Sequence, residues 1–257
     1  MTRLSANLGF LWPELELLDA IRAAKAAGFE AVEVHWPYIT HALDVALVLE
    51  ELGMPMVVLN TVGGDLANGE FGLAAVPGRE GDARAGIDKA LAYAVDVSAR
   101  FVHVLAGKSD SSEARATFVE NLRYAAARGT EFGVGVLIEP KSTQAQPDYF
   151  LTHVDQAAAI VADVGDPNLR IMFDCYHTQL TEGDVFRRIE SHLHLIGHIQ
   201  IAAVPDRAEP DHGELDYPDL LRRIDALGYD GFVGAEYKPA GRTSDGLGWM
   251  AAMPLTT

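Results

Sequence analysis

Short apolar runs recur along the chain and alternate with stretches in which apolar residues return every three to four positions. The runs are RLSANLGF (3–10), EAVEVHW (30–36), PMVVLN (55–60), FVHVLA (101–106), VGVLIE (134–139), LRIMFD (169–174), LIGHIQIA (195–202) and GFVGAE (231–236). Each has the length of a strand, and runs that stay apolar rather than alternating suit parallel strands covered on both faces. The intervening stretches carry helix punctuation. In YPDLLRRIDALG, Asp216 is placed to cap, Pro218 falls in the first turn, Gly228 closes the end, and Leu220, Leu221, Ile224 and Leu227 form one stripe. DARAGIDKALAYAVDV sets Ala83, Ile87, Leu91 and Ala94 on one face. In DSSEARATFVENL, Asp110 and Glu113 have the spacing of a capping box.

Eight such runs in 257 residues is one per about 32, the cadence of a (β/α)8 TIM barrel. AGFEAVEV, EFGVGVLIE and LGYDGFVGAE echo one another weakly, each closing a helix at a glycine and entering an apolar strand that bears Glu. An open doubly wound sheet is the second choice, but no GxGxxG follows the first strand and no Walker motif occurs. GGDLANGEFG (63–72) lacks phosphate-loop spacing and reads as a long flexible loop, lid-like in position. No change of composition marks a linker, so residues 1–257 form one domain.

The strand ends carry the chemistry. VLIE stops at Glu139 because Pro140 cannot donate to a ladder, LRIMFD ends in Asp174, LIGHIQIA carries Gln200 near its end, and GFVGAE ends in Glu236. In a barrel those ends converge at one mouth, where active sites sit. Three carboxylates crowded there repel unless something positive lies between them. A divalent cation held by Glu139, Asp174, Gln200 and Glu236 answers this, and oxygen donors without a thiolate favour Mg²⁺ or Mn²⁺. Each residue has a plainer reading alone: Asp174 as a helix cap, Gln200 as a satisfied core amide, Glu236 as a partner of Lys238. What argues for a site is their joint appearance at one end of consecutive strands.

Charge and cysteine usage narrow the partners. With 20 Lys and Arg against 37 Asp and Glu, the formal net charge of −17 repels a phosphate backbone, so nucleic acid is not the expected partner. Cys175 is the only cysteine, so no intrachain disulfide forms, and a buried small hydrophobe is the expected role rather than a nucleophile. The N-terminal stretch MTRLSANLGFLWPELELL is interrupted by Asn7, Pro13 and two glutamates, unlike a signal peptide, and no run is long enough to span a bilayer. A cytoplasmic protein that does not engage membranes is expected, with homo-oligomerisation left open.

SANLGFLW, NGEFGLAAVPGRE, VENLRYAA, VLIEP, FDCYH, GHIQIAAVPDRAEPDHGELDY and GAEYKP together resemble the hydroxypyruvate isomerase family, within the xylose isomerase-like barrels. The resemblance runs from residue 5 to about 239, and the HIQIA…P.R.EP..GE..Y stretch is its most specific part. It implies a metal-dependent aldose–ketose isomerase with no organic cofactor, converting hydroxypyruvate to tartronate semialdehyde (2-hydroxy-3-oxopropanoate) through an enediolate. A 2-oxo-tetronate isomerase or a ketose 3-epimerase would use the same site. It also implies that Glu139 and Glu236 pass the proton and that four strand-end residues, Glu139, Asp174, Gln200 and Glu236, bind the metal. Substrate contacts are expected from His177, three residues after Asp174, and from Arg207 in the loop after Gln200, beside Glu209. Lys108 in VLAGK and Lys238 in EYKP are placed to meet a substrate carboxylate. Trp12, Trp36 and Tyr38 either wall the pocket or pack in the core, His192, His194 and His198 read as structural, and Glu33 lies mid-strand without an assignable role. A zinc-cluster endonuclease would want several His ligands and a basic groove, and a non-catalytic sugar-acid binding protein would not need crowded carboxylates.

Overall fold

A computed structural model describes residues 2–255. Eight parallel strands close into a barrel in chain order: β1 (Arg3–Asn7), β2 (Ala31–Val34), β3 (Met56–Asn60), β4 (Phe101–His103), β5 (Gly135–Ile138), β6 (Leu169–Asp174), β7 (Ile196–Ile201) and β8 (Phe232–Ala235). β8 returns to β1 with Ser5 opposite Gly234 and Ala6 opposite Ala235. Every strand falls within the corresponding apolar run. The runs that overshoot do so mainly at the carboxyl end, where the chain leaves the ladder to build the mouth.

The outer layer consists of α1 (Leu17–Ala26), α2 (Ala42–Leu52), α3 (Glu80–Asp96), α4 (Ala114–Phe132), α5 (Val154–Val164), α6 (Cys175–Thr181), α7 (Val185–His192) and α8 (Tyr217–Ala226). Two helices, α6 and α7, share the β6–β7 connection. After β8 come 3₁₀ turns at Thr243–Asp245 and Leu247–Ala252, and Leu255 forms an isolated parallel bridge with Thr2. α8 starts as its sequence dictates: the Asp216 side chain accepts from the Asp219 N–H at 3.0 Å, with Pro218 in the first turn. The capping box expected at α4 does not form. That helix begins at Ala114 without a side-chain cap, and it is the Ser111 hydroxyl that accepts from the Glu113 N–H.

The lumen obeys the two-residue period of a strand. A small buried cluster contains Ala31, Val58, Phe101, Leu137, Met172 and Phe232. Two residues further along, on the same face, come Glu33, Asn60, His103, Glu139, Asp174 and Gly234. Apolar side chains therefore fill the floor of the barrel and polar ones the layer above it. The larger hydrophobic cluster packs the helices against the outside of the strands, with Ile21, Leu91, Leu122, Ile160 and Leu221 buried. No helix among the described residues is long and apolar enough to cross a membrane.

Candidate active site

The polar ends converge on one cavity, lined among others by Asn7, Glu33, His35, Asn60, His103, Glu139, Lys141, His177, Gln200, Arg207 and Glu236. Phe10 and Phe71 supply its aromatic wall. Glu139 and Glu236 stand one residue beyond β5 and β8, whereas Asp174 and Gln200 lie within β6 and β7. All four are at least 95% buried.

Their partners decide among the plainer readings. Asp174 does cap α6, its Oδ1 accepting from the Tyr176 N–H at 2.8 Å, yet its Oδ2 is buried without a hydrogen bond. Gln200 donates through Nε2 to Glu33 at 2.7 Å, and its Oε1 is likewise unpartnered. Glu236 pairs not with Lys238 but with His35 at 2.9 Å and with Arg207 at 2.8 Å. Glu139 Oε2 takes the Lys141 ammonium, while Oε1 has no partner. Leaving such oxygens dry and unpaired is costly, so three orphaned acceptors on adjacent strands fit a bound cation. Oxygen donors of this kind suit Mg²⁺ or Mn²⁺.

One oxygen each of Glu139 and Asp174 and a ring nitrogen of His177 lie within 4.8 Å of one another and can hold a metal ion. The hydrogen bonds of His177 bear on its part in this. Its Nδ1 accepts from the Ser142 N–H at 3.2 Å, which places the proton of the neutral ring on Nε2. Nε2 is 3.7 Å from Glu139 Oε1 and 3.6 Å from Asp174 Oδ2. In that tautomer His177 offers a donor to the site rather than a lone pair. Burial, reinforced by Arg207 and Lys141, holds the imidazole well below its ordinary pKa and so keeps it neutral.

The electrostatics reflect crowding. Burial drives the Asp174 carboxyl well above the ordinary range, and Glu236 pushes it further against the pull of Arg207. Burial also raises Glu139, with Lys141 opposing. Burial would raise Glu236 too, but Arg207 and His35 hold it well below the usual carboxylate value. The Arg207 guanidinium makes cation–π contacts with the rings of Phe10 and Tyr176, at 5.0 and 4.9 Å from their centres. Its backbone carries φ 59°, a left-handed conformation, and the Lys238 N–H donates to its carbonyl at 2.7 Å. Glu209 ties the same loop down by accepting from the Ala240 N–H at 3.1 Å.

Among the sequence-predicted residues the structure brings together Glu139, Asp174, His177, Gln200, Arg207 and Glu236. Lys108 is elsewhere, in a separate groove with Ser109, Asp148 and Tyr149. Lys238 is exposed, its ammonium 5.9 Å from the Phe10 ring centre, and does not line the cavity. Trp12 packs edge-on against Phe29, Trp36 meets Phe71 edge to face and bonds the Thr61 carbonyl, and Tyr38 bonds the Asn60 carbonyl. They brace the wall rather than form it. The 63–72 loop is tied back by the Gly72 N–H to the Gly63 carbonyl at 2.8 Å and presents Phe71 to the cavity. Cys175 is buried, and burial pushes its thiol well above the ordinary range. Sequence reasoning gave no role to Asn7, His35, Asn60, His103 or Lys141. The signal was available for the first four, which stand at or just past the ends of β1, β2, β3 and β4.

Comparison with known proteins gives a consistent picture. The family model described as xylose isomerase-like TIM barrel matches residues 21–253. A 2-oxo-tetronate isomerase of Cupriavidus necator is 47% identical over 254 residues, covering 97% of this chain and 98% of that one. The hydroxypyruvate isomerase of Escherichia coli is 39% identical over 254 residues, covering 97% and 98%. A crystal structure from Brucella melitensis, named AP endonuclease, family 2, superposes with a TM-score of 0.95 at 41% identity, covering 98% of each chain.

Proposed function

We propose, from the premise that this chain belongs to the xylose isomerase-like TIM barrel family and is an isomerase like its relatives, that it interconverts ketone and aldehyde forms of a small hydroxy-oxo acid. Hydroxypyruvate, giving 2-hydroxy-3-oxopropanoate, is the substrate first expected. A 2-oxo-tetronate is the second, favoured by the 47% identity to an enzyme of that name. The observation that carries the reading is the set of buried, unpartnered oxygens of Glu139, Asp174 and Gln200 beside Glu236, with two cations in the same cavity.

Glu139, Asp174, Gln200 and Glu236 would hold a divalent ion. When bound, it would polarise the substrate's carbonyl and neighbouring hydroxyl and so acidify the C–H between them. Glu139 and Glu236 serve as the acid–base pair, one taking the proton from carbon and the other supplying one to the adjacent carbon. His35 and Arg207 each hold one oxygen of Glu236, which fixes the carboxylate's plane. The His177 Nε2–H is placed to donate to oxygen charge that develops in the enediolate.

Lys141 and Arg207 are the cations placed to receive the substrate carboxylate. Four carboxylates, Glu33 with Glu139, Asp174 and Glu236, against these two cations leave two net negative charges, which a divalent ion neutralises. With the cluster neutral, Lys141 and Arg207 can give a substrate carboxylate charged hydrogen bonds that a neutral sugar does not receive. The endonuclease name borne by the Brucella structure finds less support in this chain, whose net charge of −17 opposes a nucleic-acid backbone. The test is product identification by NMR after incubating metal-loaded protein with hydroxypyruvate, a 2-oxo-tetronate and a neutral ketose. Turnover of an oxo acid with solvent deuterium entering at carbon supports the reading. A preference for the neutral ketose overturns it.

A further inference from the structure

One carboxylate in the cavity takes no part in the chemistry above. Glu33 on β2 is 1% exposed and receives three donors: Ser5 Oγ at 3.0 Å, Gln200 Nε2 at 2.7 Å and His198 Nε2 at 3.2 Å. An ionised carboxylate only accepts, so the atom of Gln200 that faces it must be the NH₂. The amide oxygen then points the other way, and Oε1 is one of the buried atoms without a partner. His198 Nδ1 also lacks a partner, which leaves its proton on the Nε2 that faces Glu33. The barrel is hollowed to admit this group. A Cβ added at Gly234 of β8 would meet Glu33 Oε1 at 1.9 Å and His198 Nε2 at 2.9 Å.

We propose that Glu33 is a positioning residue that locks the Gln200 amide with its carbonyl oxygen, never its NH₂, toward the cation site shared with Glu139, Asp174 and Glu236. An amide is nearly symmetric in shape, and without Glu33 either end can face the ion. A flipped amide would present two N–H groups to a cation and an oxygen to Glu33, two repulsions in place of two attractions. This inference rests on the cation reading given above.

The experiment measures Mn²⁺ alone, by the EPR signal of the free ion, against wild type, Glu33→Gln, Gln200→Glu and the double exchange Glu33→Gln/Gln200→Glu. Melting temperatures of the metal-free proteins are recorded alongside. Loss of a partner that orients a ligand typically weakens metal binding by about 10- to 100-fold, and that is the fall expected for Glu33→Gln. Gln200→Glu supplies a better ligand but sets it against the Glu33 carboxylate with no donor between them, so it should bind more weakly than wild type. In the double exchange an amide donor faces a carboxylate again, and affinity returns to the wild-type level or above. A merely structural Glu33 would lower the melting temperature without reversing the sign of the Gln200→Glu effect. Wild-type affinity in Glu33→Gln, or the same Gln200→Glu effect with either residue at position 33, overturns the proposal. If Glu33→Gln does not fold, Gln200→Glu alone decides, since binding tighter than wild type contradicts it. Absence of Mn²⁺ binding by wild type would instead remove the cation reading itself.

Discussion

Replacing Lys141 by Met removes a cation while keeping the length and apolar stem of the side chain. Lys141 is 7% exposed and its ammonium bonds Glu139 Oε2, with the Phe71 ring centre 5.9 Å away. A hydrogen bond to a charged group contributes roughly 1.5–3 kcal/mol, so losing it to a substrate carboxylate should raise KM for hydroxypyruvate about 10- to 150-fold. Breaking a buried pair from one side costs about 3–5 kcal/mol of stability when the remaining charge stays ionised. Glu139 can relieve part of this by taking a proton, because burial already raises its pKa. That same protonation should lower kcat, so the decisive comparison is among cations rather than within one variant. Steady-state kinetics should show the large KM increase for Lys141→Met and partial recovery for Lys141→Arg. Lys108→Met and Lys238→Met should stay within about two-fold, since neither side chain lines the cavity. If Lys108→Met carries the loss and Lys141→Met does not, the assignment of the carboxylate-binding cation is wrong.

Three further outcomes follow from the same geometry. Asp174→Asn keeps an oxygen to cap the Tyr176 N–H but removes one crowded charge. The metal-free variant should therefore melt higher than wild type, by about 2–4 °C for each kcal/mol regained, while turnover is lost; a lower melting temperature by calorimetry would contradict this. His212, held between Asp206 and Asp211, should titrate near 9 by NMR, and a value near 6.5 would contradict the contacts. Its folded pKa is raised, so the stability it lends is full below about pH 6.5 and fades as the pH passes 9. Its exposure keeps that contribution small. Finally, the Cys175 thiol should resist an aromatic disulfide reagent until denaturant is added, and rapid labelling of the native protein would show it is not buried.

The strands were legible because each is an apolar run bounded by turn residues, and helices such as α8 because their caps are written locally in Asp216 and Pro218. The α4 start was not, because Asp110 and Glu113 compete with the serine hydroxyls between them, and it is Ser111 that takes the Glu113 N–H. The cavity's acidic side followed from a rule about strand ends, applied to β5 through β8 alone. Applied to β1 through β4 the same rule would have reached Asn7, His35, Asn60 and His103. Lys141 lies two residues past Glu139, as Lys108 lies beyond β4, and sequence gives no sign which loop folds inward. That depends on how Pro140 and the chain after it turn over the mouth. Glu33 was opaque for another reason. A carboxylate in mid-strand makes sense only beside Ser5, His198 and the space left by Gly234, and closure of the barrel brings those together from β1, β7 and β8.

The most direct test of the central claim is turnover of hydroxypyruvate by protein stripped of metal to the detection limit of elemental analysis, then titrated with Mn²⁺ or Mg²⁺. The arrangement of Glu139, Asp174, Gln200 and Glu236 predicts no turnover in the stripped protein and recovery that saturates at one ion per chain. Undiminished isomerisation by demonstrably metal-free protein would contradict it.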